Sequence, residues 1–111
     1  MFATPKEVLA FRALDGRVPF DQWLNELDDK RAVARILARV VRLRQGNLGD
    51  CKSVGEGVFE LRVDYGPGYR VYFGQKGRTV VVLLCGGDKR TQGRDIRLAK
   101  QYWREFKEIE R

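Results

Sequence analysis

Hydrophobic residues recur with two periods along the chain, and the change between them separates a helical first half from a stranded second half. Near the N-terminus, Val8, Ala10 and Arg12 alternate with Leu9, Phe11 and Ala13, which predicts a strand over 6–14 ended by the Asp15-Gly16 turn. Pro19 then opens a helix in which Phe20, Trp23, Leu24 and Leu27 fall at i, i+3, i+4 and i+7. Residues 30–44 repeat that spacing with Val33, Ile36, Leu37, Val40 and Val41, opposite Arg31, Arg35, Arg39 and Arg42, until Gly46 and Gly49 stop the helix. The short Asp28-Asp29 link makes these two helices antiparallel neighbours, a helical hairpin.

From residue 57 the period becomes two. Phe59, Leu61 and Val63 alternate with Glu60, Arg62 and Asp64; Tyr65-Gly66-Pro67-Gly68 is a turn; Tyr69, Val71 and Phe73 alternate with Arg70 and Tyr72. Val80 to Cys85 is apolar at every position, as a strand covered on both faces is, and Gly86-Gly87 closes it. Asp95 to Glu108 predicts a last helix with Ile96, Ala99, Trp103 and Phe106 on one face. The order predicts an α+β domain: an N-terminal strand and a helical hairpin packed on one side of a three-stranded antiparallel sheet, with a C-terminal helix. The other side of the sheet would then show Glu60, Arg62, Asp64, Arg70 and Tyr72 to solvent.

Composition narrows the chemistry. At 111 residues the expectation is a single domain over 1–111. No apolar run nears the ~18–20 residues of a membrane span, and Met1 to Glu7 lack a basic stretch followed by an apolar one, so a cytoplasmic protein without a membrane partner is expected. With no histidine, Ser-His, Cys-His and two-histidine zinc mechanisms are excluded. Cys51 and Cys85 are too few for a disulfide scaffold or a four-cysteine metal site, and Cys85 reads as a core thiol. No cofactor and no metal is expected.

Charge adds a direction. The chain carries 22 Lys plus Arg against 15 Asp plus Glu, a net +7. Residues 30–44 hold six of the cations, Lys30, Arg31, Arg35, Arg39, Arg42 and Arg44, and no acid, while 15–29 is acidic. Such segregation suits an anionic partner, usually nucleic acid, although charge also serves solubility. Arg62 and Arg70 lie on adjacent strands with the same parity, and Lys89 and Arg90 follow the next strand. These four cations could grip phosphate, since Arg forks match phosphate oxygens two at a time, and Tyr72 and Tyr65 could stack bases beside them. Glu60, Arg62, Asp64 and Arg70 could equally neutralise one another across the strands. Gly86-Gly87-Asp88-Lys89 could form a phosphate nest or a plain turn.

The segment Gly55-Glu56-Gly57-Val58-Phe59-Glu60-Leu61-Arg62-Val63-Asp64-Tyr65-Gly66-Pro67-Gly68-Tyr69-Arg70-Val71-Tyr72-Phe73, followed by Val80 to Lys89, resembles the RelE/ParE superfamily of bacterial toxins, most closely its HigB-like addiction module killer protein branch. The resemblance runs from about Phe20 to Phe106 and implies a RelE-like fold and the toxin of a type II toxin–antitoxin module. It implies a cognate antitoxin as partner, with operator DNA reached only through that antitoxin. In RelE-like members the activity is ribosome-dependent mRNA cleavage, which makes the ribosome and mRNA the implied targets. Residue by residue, Arg70 resembles the phosphate-clamping arginine, Arg62 stands where such toxins place a catalytic lysine, and Lys89 matches the basic position that serves the leaving group. Glu60 departs from a second lysine and is the candidate general base. Arg90, Tyr72, Arg35, Arg39 and Arg42 are the candidate RNA contacts. The C-terminal tyrosine of RelE has no match, its place being near Asp95, and the histidines of some HigB toxins are absent. Those departures keep a second reading open: a ParE-like DNA gyrase inhibitor without nuclease activity.

Overall fold

The computed structural model describes residues 4–111; Met1–Ala3, part of the Met1–Glu7 stretch in which no leader is expected, lie outside them. The chain runs β1 (Glu7–Ala10), α1 (Pro19–Glu26), α2 (Lys30–Arg44), β2 (Cys51–Gly55), β3 (Val58–Val63), β4 (Tyr69–Lys76) and β5 (Val80–Gly87). A short 3-10 turn over Lys89–Thr91 then leads into α3 (Gln92–Ile109). The five strands form one sheet in the order β1-β5-β4-β3-β2. The architecture is α+β, as the pattern predicts. The sheet is mixed, because β1 pairs parallel with β5 while every other neighbouring pair is antiparallel.

Three elements differ from expectation for identifiable reasons. The first strand stops at Ala10 because Ala13 donates its amide to the Arg17 carbonyl at 2.8 Å, which folds the chain back through the turn at Gly16. β2 was not foreseen: Lys52 and Ser53 are exposed on this edge strand, so it carries little apolar alternation, and its ladder to β3 is broken by an irregularity between Ser53 and Gly55. The Gly86-Gly87 pair does not turn the chain. Both glycines continue β5, paired with Val71 and Arg70, and the places require glycine because neighbouring side chains occupy the space a Cβ would fill. At Gly86 that Cβ would stand 2.3 Å from the ring of Trp23.

β5 is central, as its unbroken apolar run predicts, with β1 on one side and β4 on the other. Its register against β4 jumps from Tyr72↔Cys85 to Phe73↔Leu83, leaving Leu84 as the additional residue of a bulge. Leu84 and Cys85 consequently both join the core beneath α3.

The helices do not share one side. Phe20 of α1 and Ala32, Ile36, Val40 and Leu43 of α2 pack on Leu61, Val63, Val71, Phe73, Val81 and Leu83. On the opposite face, Ala99 and Trp103 of α3 cover Val58, Tyr72, Val82 and Leu84. The sheet is therefore a central layer, and the surface expected to be open is largely roofed by α3. A Cβ at Gly74 would lie 2.3 Å from the Trp103 ring, which shows how closely that roof sits.

α2 is also rotated from its expected setting. Asp29 caps it by accepting the amides of Arg31 and Ala32 at 2.9 and 3.2 Å. Its buried line is Ala32, Ile36, Val40 and Leu43, whereas Leu37 and Val41 are 42% and 47% exposed. With the expected row pointing partly outward, the arginines lie to one flank of the helix and not opposite the core.

Candidate functional site

The β3–β4 hairpin sets the site. Its register pairs Arg62 directly with Arg70 and Glu60 with Tyr72, so all four side chains leave the sheet on the α3 side. The hairpin closes through Tyr65–Gly68, where Gly66 and Gly68 hold φ of 56° and 81° that a glycine accepts without strain. The pairing on the outer side of β3 reaches one residue past Leu61, where the Arg62 amide donates to the Asp50 carbonyl at 2.9 Å, and leaves the end of β3 and the turn at the sheet border. There a hollow of about 260 Å³ is lined by Asp50, Arg62, Asp64, Gly68 and Arg70, among others. Lys89 borders the same turn, since its Cβ lies 4.0 Å from where a Cβ on Gly68 would be.

The two arginines are held differently. Arg62 is half exposed; its Nη2 meets Asp50 Oδ1 at 3.2 Å, and its carbonyl accepts Arg39 Nη1 at 2.6 Å. An exposed pair of this kind contributes little to stability and is readily exchanged for another anion. Arg70 is 8% exposed. Its Nη1 donates to the Gly68 carbonyl at 2.7 Å, and its Nε faces Glu60 Oε2 at 3.5 Å, an ionic contact without hydrogen-bond geometry.

Glu60 and Tyr72, both expected on an open surface, have no exposed area. The physical reason is α3. Gln92, its first residue, donates its amide to Glu60 Oε2 at 2.8 Å, and the Tyr72 hydroxyl donates to the same oxygen at 3.0 Å. In this arrangement the Tyr72 ring meets no base and neither Glu60 oxygen meets solvent. Burial, and after it the charge of Glu60, hold the Tyr72 phenol far above the usual tyrosine range. Lys52 approaches the other carboxylate oxygen from outside at 3.8 Å. Neither Gln92 nor Lys52 carries a signal in the sequence, because each acts only through the tertiary fold.

The remaining candidates lie around this center. Arg90 is exposed and turns back to Asp88, 3.0 Å from Oδ2, and that contact is the foremost cause holding the Asp88 carboxyl below its ordinary range. Arg35, Arg39 and Arg42 line a second hollow of about 220 Å³ on the α2 side of the sheet. The two hollows share Val63 and Asp64, so cations stand on both sides of the open end of β3. Arg35 also lies over the Tyr65 ring at 5.2 Å, and the Tyr65 hydroxyl donates to Asp29 at 3.1 Å. Cys85 is a buried thiol, pushed up to about 12 by burial first and then by Asp95. Among the described residues, no three His, Cys, Asp or Glu side chains gather as a metal site requires. No helix there is long and apolar enough to cross a membrane.

The chain matches the family model of phage-derived Gp49-like proteins (DUF891) over residues 22–105. It belongs to that family, which is toxin-like and of the RelE/HigB type. It is also 57% identical over 81 residues to a Haemophilus influenzae protein described only as uncharacterized, an alignment that covers 73% of this chain and 82% of the relative.

Proposed function

We propose that this protein is the toxin of a type II toxin–antitoxin module, of the HigB-like branch, acting in the cytoplasm as a ribosome-dependent mRNA endonuclease that an antitoxin restrains. The observation that carries the reading is the direct pairing of Arg62 with Arg70 at the wall of one hollow, with Lys89 at its border. A phosphodiester seated there would meet both guanidinium groups. The ribose 2′-oxygen would attack the adjacent phosphorus as the P–O5′ bond breaks, giving a 2′,3′-cyclic phosphate and a 5′-hydroxyl. Arg62 and Arg70 would stabilise the charge on the phosphorane, Lys89 would give its proton to the departing 5′-oxygen, and Arg90 would add a fixed positive charge there. Asp64, exposed at the junction of the two hollows, supports the part of proton acceptor. Glu60, without exposed surface, is better suited to holding Arg70 than to taking a proton from substrate. Arg35, Arg39 and Arg42 would hold flanking phosphates, and binding would weaken steeply with salt. Operator DNA would be reached through the antitoxin.

A map of mRNA ends by primer extension after induction tests this reading. New ends within translated messages, lost in Arg70→Ala and Arg62→Ala, are expected. The ParE-like gyrase reading draws on the outward Leu37 and Val41, which suit protein contact. Intact messages with impaired supercoiling would select it instead.

A further inference from the structure

Arg70 is the least exposed cation of the candidate site, and its orientation depends on groups that meet no substrate. Two of its three guanidinium nitrogens are engaged inward: Nη1 donates one hydrogen to the Gly68 carbonyl, and Nε lies in ionic contact with Glu60 without a hydrogen bond. Nη2 is the end left for a phosphate in the hollow. The direction of Nη2 is thus set jointly by the Gly68 carbonyl and by the charge of the Glu60 carboxylate. That carboxylate is itself pinned at one oxygen, Oε2, which accepts both Tyr72 and Gln92. Its other oxygen has no hydrogen bond, and neither has Arg70 Nε. Tyr72 shares the sheet with Glu60 and moves with it. Gln92 does not: it belongs to α3, and through this amide the helix fixes the rotation of the carboxylate.

We infer that Glu60 and Gln92 are positioning residues that aim the Arg70 guanidinium at a phosphodiester in the hollow, with Gln92 coupling the aim to the start of α3. The inference rests on the endonuclease reading for its consequence in rate, and on geometry alone for the coupling. Preorganised donors gain their effect by needing no rearrangement as charge develops, so a loosened Arg70 loses rate more than affinity.

Two measurements on the full chain separate these parts. In isotope-labelled protein, the Arg70 Nε–H is expected as a slowly exchanging side-chain proton, assigned by its absence in Arg70→Lys. Gln92→Ala should speed its exchange about 10-fold, because a loosened Glu60 carboxylate admits water to a proton that burial, not a hydrogen bond, protects. Backbone amide signals of β5 and α1 should stay in place, which a general loss of structure would not allow. Gln92 sits at a helix start and is half-buried, so this variant is expected to fold even if Glu60→Gln does not. An unchanged Nε–H exchange rate in Gln92→Ala overturns the inference. In the second measurement, single-turnover cleavage on programmed ribosomes should fall about 10-fold in Gln92→Ala with the salt slope of RNA binding unchanged. Arg70→Ala combined with Gln92→Ala should be no slower than Arg70→Ala alone, since residues acting as one unit do not add. Fully additive losses overturn the positioning role. Absence of cleavage in the wild type would defeat the endonuclease reading only, and the exchange measurement would still decide whether Gln92 and Glu60 hold Arg70.

Discussion

Replacing Glu60 by alanine removes the acceptor at the middle of the buried polar cluster. The Tyr72 hydroxyl and the Arg70 guanidinium, 0% and 8% exposed as residues, would each lose their partner in a space water enters poorly. Gln92 is only half-buried and could turn to solvent, so its loss is small. Removing one partner of a buried ion pair typically costs about 3–5 kcal/mol, because the other charge stays desolvated. Since Arg70 keeps its bond to Gly68 at 2.7 Å, we expect the low end, about 3 kcal/mol, a large share of the roughly 5–15 kcal/mol that a domain has in total. Glu60→Leu with Arg70→Met and Tyr72→Phe is the informative companion: with both charges and the hydroxyl replaced by apolar groups of similar size, stability should return to within about 1 kcal/mol of wild type. Urea unfolding followed by tryptophan fluorescence reads both. A loss below about 1 kcal/mol for Glu60→Ala, the scale of a single ordinary hydrogen bond, would refute the claim that this cluster is sealed from water.

Other consequences can be checked in the same way. Cys85 titrates near 9.0 when unfolded and is pushed up to about 12 in the fold. Folding is therefore favoured by its protonated form, and the contribution, complete below pH 9.0, should be lost as pH rises toward 12, by up to about 1.4 kcal/mol per pH unit. Urea midpoints at pH 7, 9 and 10 should fall in that order, and less steeply in Cys85→Ala. Gly74→Ala, with its Cβ 2.3 Å from the Trp103 ring, should cost about 1–3 kcal/mol through overpacking, and Trp103→Leu should relieve part of it; additive urea midpoints would count against the close approach. On α2, Ile36→Ala should cost about 2–5 kcal/mol, whereas Leu37→Ser and Val41→Ser should each stay within about 0.5 kcal/mol; equal costs would mean the helix is rotated back toward the expected setting.

What could be read in advance follows the physics of each signal. The end of α2 is legible because Gly46 is a local stop, whereas Asp29 reads only as part of the link between the helices, and its role as the cap shows only in the structure. The facing of α2 is not legible: its apolar positions cover a wide arc, and spacing alone does not say which half of that arc meets the sheet. Ala32 and Leu43 took the interior places assigned to Leu37 and Val41. Strand alternation did put Glu60, Arg62, Arg70 and Tyr72 on one side. Polar identity suggests solvent, whereas a buried carboxylate is tolerated wherever donors meet it, here from Tyr72 and Gln92. β2 left no trace because its pairing is made by backbone groups under exposed Lys52 and Ser53.

The parallel seam between β1 and β5 bears on how the chain is made. Glu7 is in register with Val80, and Lys6 donates to the Arg78 carbonyl across 72 residues of sequence. During synthesis the first strand emerges early and then waits, since its ladder partner leaves the ribosome near the end. A product cut off before Val80 leaves that first strand without a mate. A product that begins after Ala10 bares one side of Val80–Leu83, a mostly apolar ladder with unpaired amides, the kind of edge on which neighbouring chains stack. Four short residues at the start thus act as the selvedge of the whole sheet.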